Sequence, residues 1–237
     1  DASIAFDNRE WLKQAKLLES WISYTFQDQA LGEEIKEGMP LLFLEDYAYW
    51  AEALLLLSSV SESIQPESAS SYLEQAENLV EAMMLKFSDE TSPGFFVSPL
   101  EMQSHPPCRK KLWFDNATPS GNSSLLRIFS TLHLLTGKQK WLTEFAEAKR
   151  AYAKLVEKAP DGICYALCSM TEDTIGLIHI TCPSSKIETL TELLAEFPYR
   201  PIFLKGADDI DQFTACVNNV CLEPTSDPSE LLVQLFK

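Results

Sequence analysis

Apolar positions recur along the first two thirds of this chain in two ways, one-sided and all-round. Residues 8–26 place Trp11, Ala15, Leu18, Ile22 and Phe26 at helical spacing, with Glu10, Lys13, Lys16 and Glu19 elsewhere on the surface. That predicts an amphipathic helix, followed by a polar loop over 27–40. Residues 41–60 leave almost no polar face, which predicts a helix surrounded by protein. Residues 69–87 are one-sided again, with Tyr72, Ala76, Leu79, Val80, Met83 and Phe87 in the stripe. The connection over 88–118 contains Pro93, Pro99, Pro106 and Pro107, which exclude helix; 94–97 and 111–114 predict a short hairpin of strands. Thr118 and Pro119 suit the cap and first position of a helix that runs to about 136 and stops at Gly137. This helix is apolar over much of its circumference. Residues 139–157 are one-sided, and 161–170 predict the start of another buried helix.

Alternation of one-sided and all-apolar helices is what two concentric helical layers produce, buried ones inside and amphipathic ones outside. A plain bundle makes most helices one-sided. The pattern therefore predicts a mainly α fold, a partial α/α toroid of hairpins, over 1–172. Over 173–237 the character changes. A β-branched run at 175–181, a helix at 186–197, short strands at 201–204, 213–217 and 220–222, and a last helix at 230–236 predict a small α/β module.

The 46% hydrophobic share of 237 residues, with 13 Phe and 5 Trp, builds a sizeable core without staples. The 35 acidic against 19 basic side chains give a net charge of −16, which disfavours nucleic acid and anionic lipid as partners. No apolar run approaches the roughly 18–20 residues a bilayer needs. The start Asp1-Ala2-Ser3 has no initiator Met and no signal-peptide pattern, as expected of a processed or truncated piece. The six Cys read most simply as reduced thiols of a cytoplasmic protein. Cys216 and Cys221 are too few for zinc by themselves, Cys164 and Cys168 lie one helical turn apart, and His105, His133 and His179 are scattered. No metal site is expected. With no phosphate-binding loop and no nucleophile elbow, no cofactor is expected either.

Two segments concentrate short polar side chains next to apolar helices. They are Leu44-Glu45-Asp46-Tyr47-Ala48 and Asp115-Asn116-Ala117-Thr118-Pro119-Ser120-Gly121-Asn122-Ser123. A third segment spaces Cys216, Asn218, Cys221 and Pro224, with Asp227 ahead of the last helix. In order and content these resemble the C-terminal region of the YyaL-type family, thioredoxin-domain-containing proteins that include the spermatogenesis-associated relatives. The resemblance spans about residues 8–237. It implies a six-hairpin, glycosidase-like toroid related to sugar epimerases and hydrolases, normally preceded by a thioredoxin-like domain. The chain departs from the family in lacking a thioredoxin-like segment, in showing about half the helices of a full toroid, and in having Asn116 where the family has Gly. It is similar to the C-terminal half of such a protein. A missing toroid half, a second chain or self-association is then expected to cover its inner helices.

Glycoside chemistry needs two carboxyls across a sugar, and the expected pair is Asp46 with Asp115. Tyr49 and Trp50, one turn beyond Asp46, would supply a stacking wall. Asn116, Thr118, Ser120 and Asn122 would offer hydrogen bonds to hydroxyls. Arg127, a charge in an apolar helix, needs a carboxylate, with Asp46 or Asp115 the expected partner. The competing reading is structural. Carboxylates favour helix N-termini, Thr118 caps, and Gly121 allows close helix approach. The function expected from these residues and the resemblance is binding or modification of a carbohydrate. The alternative is a non-catalytic scaffold that works with a thioredoxin-like domain.

Overall fold

A computed structural model describes residues 8–32, 41–61, 66–100, 109–194, 202–218 and 220–236. It is mainly helical, with a four-stranded mixed sheet at the C-terminal end. Helix α1 (Arg9–Leu31) is capped by the Asn8 side chain, which accepts from Glu10 N at 3.1 Å. It runs through the start of the expected loop because tertiary contacts hold its end: Gln29 and Ala30 are buried, and the Ala30 carbonyl accepts from Tyr47 Oη at 2.9 Å. Helices α2 (Leu44–Ser61) and α3 (Pro66–Phe87) pack as one pair, and α4 (Gly121–Thr136) and α5 (Gln139–Lys158) as another. Helix α4 lies between α2 and α6 (Cys164–Ile175), while α1 leans on α3 and α2. The row α2, α4, α6 thus has α1, α3 and α5 against it.

One core joins these helices. The Phe129 ring stacks on Trp141 at 6.1 Å and meets Phe95 at 6.0 Å; Tyr47 meets Phe87 edge-on at 5.2 Å. Each such ring contributes on the order of 3 kcal/mol by leaving water. Gly121 is the point of closest approach between α2 and α4. A Cβ there would stand 2.7 Å from Leu44 Cγ, so only glycine lets the two helices meet. The Gly137 backbone ends α4 in the left-handed region (φ 67°), as its position in the sequence predicts.

The expected hairpin over 94–97 and 111–114 is not a pair of strands. Val97 N donates to Lys110 O at 2.8 Å, but the neighbouring carbonyls are taken by side chains instead. Arg109 donates to Ser98 O and Lys86 O, Lys111 Nζ to Ser92 O and Pro93 O, and Asn122 Nδ2 to Phe95 O and Leu112 O. Those donors replace a ladder that Pro93 and Pro99, lacking N–H groups, cannot complete.

In the C-terminal module, β1 (Ile178–Pro183) runs parallel to β2 (Ile202–Ala207), with α7 (Ile187–Leu194) between them in sequence. β3 (Thr214–Val217) is antiparallel to β1 and to the short β4 (Val220–Cys221), giving the order β2-β1-β3-β4. Helix α8 (Pro228–Phe236) closes a second core with Ile178, Ile180, Phe213 and Ala215. Asn218 ties the module to α6: its amide donates to Asp173 O at 2.7 Å and accepts from Leu177 N at 2.9 Å, with φ at +47°. Cys216 and Cys221, directly opposite in register, form a disulfide. This corrects the expectation of reduced thiols for that pair. Cys182 is buried, as a small hydrophobe would be, whereas Cys164 and Cys168 are exposed; Cys108 lies outside the described residues. Among the described residues no helix is long and apolar enough to cross a membrane.

Candidate functional site

The mouths of α2 and α4 meet, so the two polar segments are neighbours. Their side chains, however, face backbone. Asp115 Oδ1 accepts from Ser120 N at 2.9 Å and Oδ2 from Tyr165 N at 2.9 Å. One carboxylate thereby fastens its own loop and caps the first turn of α6. Asp46, exposed, accepts from Phe43 N at 2.8 Å and returns its own N–H to Phe43 O, a capping arrangement at the start of α2. Both carboxyls complete helix ends.

The remaining expected site residues divide. Asn122, only 3% exposed, clamps the Phe95 backbone from both sides and also reaches Leu112 O. Ser120, not Thr118, caps α4, accepting from Ser123 N at 3.2 Å. The shift of two residues follows from Asp115, which fixes Ser120 N and sets where the helix begins. Ser120 and Ser123 also share the Tyr152 hydroxyl, whose pKa burial pushes up to about 12. Asn116 and Thr118 are exposed in the turn between them. Tyr49 donates its hydroxyl to Pro119 O, joining the two segments directly. Trp50 lines a groove between α2 and α1, which Tyr49 also borders.

A different polar cluster crosses the middle of the α2, α4, α6 row. Tyr165 Oη donates to Glu52 Oε1 at 2.7 Å, Arg127 Nη1 donates to Tyr165 Oη at 3.2 Å, and Arg127 Nε pairs with Glu172 Oε2 at 3.2 Å. Arg127 therefore finds its carboxylate in α6 and not in Asp46 or Asp115. It sits nearly two turns inside α4, level with the body of α6 and away from the helix mouths. Burial raises the Glu52 pKa, against the lowering influence of Tyr165, Arg127 and Ser124. Burial raises Glu172 as well, with Arg127 opposing. Tyr165 is pushed up to about 12 by burial and by the Glu52 charge. Burial works against the Arg127 charge, but Tyr165, Glu172 and Glu52 outweigh it and hold the guanidinium protonated. The cluster is not sealed: the Arg127 side chain keeps 31% of its surface and Glu172 18%. Two carboxyls that ionise reluctantly, joined through a phenol and a fixed cation, can give and take protons and bind hydroxyl groups.

Glu52, Tyr165 and Glu172 escaped the sequence reading. The signal for Glu52 was present, since it is the one charged side chain between Tyr47 and Val60. Like Arg127, a charge within an apolar helix, it needs a polar partner.

The groove between α1 and α2 encloses about 760 Å³ and is lined by Trp11, Trp21, Phe26, Tyr49, Trp50 and several Leu, with Glu19 and Asp46 as its acidic groups. Trp50 Nε1 is buried and has no acceptor among the described residues. The two described histidines lie elsewhere. His133 Nδ1 meets Lys138 O at the end of α4, and His179 packs in β1, where burial lowers its pKa. Among the described residues no cluster of three His, Cys, Asp or Glu could hold a metal ion. No protein-family model matches the chain, and no curated protein matches it.

Proposed function

We propose that the helical array is an arc of an α/α toroid, with α2, α4 and α6 as its inner row and α1, α3 and α5 as its outer one. We infer that the inner row binds a carbohydrate or a similarly hydroxylated small molecule at Glu52, Tyr165, Arg127 and Glu172. The observation that carries this reading is the chain of hydrogen bonds and one ion pair linking those four side chains across three consecutive inner helices. Glu52 and Glu172 take over the acid and base roles expected of Asp46 and Asp115, since both Asp115 oxygens and Asp46 Oδ2 accept from backbone N–H groups. A carboxyl with a raised pKa is suited to hand a proton to a leaving oxygen. Arg127 favours the ionised form of the second carboxyl against its burial.

The test is calorimetric titration of the chain with a panel of mono- and oligosaccharides, repeated on Glu52→Gln and Arg127→Met. Binding of at least one sugar, weakened about tenfold or more in both variants, supports the reading. If no sugar binds, or if neither substitution matters, it fails. The scaffold reading, in which the array pairs with a thioredoxin-like domain, draws on one observation. Asp46, Asp115, Ser120, Asn122 and Tyr49 are all engaged in holding backbone. A stable complex with a thioredoxin-like domain, formed without any sugar response, would favour it.

A further inference from the structure

The groove between α1 and α2 is apolar in its walls and acidic in its charge. Its acidic lining is Glu19 and Asp46, and among the described residues no Lys, Arg or His contributes to it. Glu19 lies midway along α1 and is only 7% exposed. Among the described residues it accepts a hydrogen bond from the neighbouring Ser23 hydroxyl, at 2.5 Å. None of the described Lys, Arg and His residues forms an ion pair with it, whereas Glu77, Asp89, Glu172 and Asp173 all have cationic partners. Its surroundings include the Tyr72 phenol, whose pKa is raised by burial and further by the Glu19 charge. A buried carboxylate without a countercharge is costly, and folded proteins rarely keep one without a use.

The groove walls are largely aromatic. Trp11, Trp21, Phe26, Tyr47, Tyr49 and Trp50 line the same space. Aromatic faces carry negative potential and attract cations. The protein's own cation–ring contacts, among the described residues, fall on Phe96, Trp141, Phe145 and Phe213, so none of the groove rings is used in this way. The volume of about 760 Å³ is that of a small-molecule pocket, for which roughly 300–1,000 Å³ is usual. A bare metal ion would find too few oxygens here, since hard cations require about six. An anionic amphiphile would set its charge against Glu19.

We propose that the α1–α2 groove binds a small organic cation, with an aliphatic or aromatic body among the Trp and Leu side chains and an ammonium or guanidinium head on Glu19. The body covers Trp21 and Leu18, which stand 57% and 58% exposed at the rim. This site is separate from the inner-row cluster: neither Glu52, Arg127, Tyr165 nor Glu172 lines it.

Three probes of equal chain length separate charge from apolarity. Octyltrimethylammonium, octanoate and 1-octanol are titrated below micellar concentrations, read by calorimetry and tryptophan fluorescence. Octyltrimethylammonium is expected to bind about tenfold tighter than octanoate, and Glu19→Gln to remove about that much of its affinity. The glutamine keeps an acceptor for Ser23 and removes the buried charge, so its circular dichroism should match the parent and its unfolding midpoint should be equal or higher. Ala53→Trp, which fills the exposed side of the groove, should abolish binding of all three. The proposal is overturned if octanoate or octanol binds as well as the cation, or if Glu19→Gln leaves affinity unchanged. It is also overturned if light scattering shows a dimer that quenches Trp21 and excludes the probe, which would make the groove an interface between copies.

Discussion

Two polar clusters occupy the α2, α4, α6 row, and their side chains find opposite kinds of partner. At the helix mouths, Asp46, Asp115, Ser120 and Asn122 serve backbone N–H and C=O groups. In the bodies of α2 and α4, Glu52 and Arg127 serve other side chains, joining Tyr165 and Glu172 of the first and last turns of α6. The difference is dictated by where backbone groups are free. A helix end leaves N–H groups without intrahelical partners, and short polar side chains are recruited to them. A helix interior leaves none, so a polar side chain there must find another side chain or a ligand. A dense polar motif is thus weaker evidence of a binding site than one ionisable group in the middle of an apolar helix.

The comparison breaks most visibly at Asp115. Asp115→Ala strips an acceptor from two backbone N–H groups in different elements and should cost about 3 kcal/mol in urea unfolding. Any ligand affinity of the folded fraction should stay as it was. Arg127→Met leaves Glu52 and Glu172 without their cation and should cost about 2 kcal/mol. Combining it with Glu172→Gln should recover about half of that loss, and strict additivity would show that the pair is not coupled. Asp46→Ala removes one capping bond at an exposed position and should cost about 1 kcal/mol, with no effect on the mid-helix cluster.

The smallest effect is expected at Glu52, and it depends on pH. Its folded pKa lies above the ordinary value of 4.5 because burial penalises the charged form. The folded state therefore holds this proton more tightly than the unfolded chain does, and stability falls as pH rises through that window. Glu52→Gln, which cannot ionise and still accepts from Tyr165, should match the parent near pH 4.5 and gain on it towards neutrality. A gain that shrinks as pH rises would show that Glu52 is stabilised as a carboxylate.

Much of the architecture was legible in the chain. The all-apolar run of 121–136 is a helix covered on both sides, Gly137 stops it, and Gly121 marks the close approach. Other features were hidden because they depend on distant partners. The start of α4 moved from Thr118 to Ser120 because Asp115 holds Ser120 N. The strands expected over 94–97 and 111–114 lost their ladder to Asn122, Arg109 and Lys111. α2 reads as apolar all round, yet one flank, with Trp50, Ala53 and Leu56, faces an open groove that separates it from α1. Periodicity reports that a face is apolar; it does not report what stands opposite.

By itself the sequence determined the helical alternation, the change to a small α/β module after about residue 173, and the net charge of −16. These follow from short-range spacing and from sums over the chain. Only the tertiary structure decided which carboxylate Arg127 meets, that Glu52 and Tyr165 join it, and that Cys216 and Cys221 are paired. It also decided that Glu19, one of several acids on an amphipathic helix, is buried in an aromatic groove with no countercharge among the described residues. Those pairings join residues up to 113 positions apart. Chain direction and helix packing set them, and no local pattern carries that information.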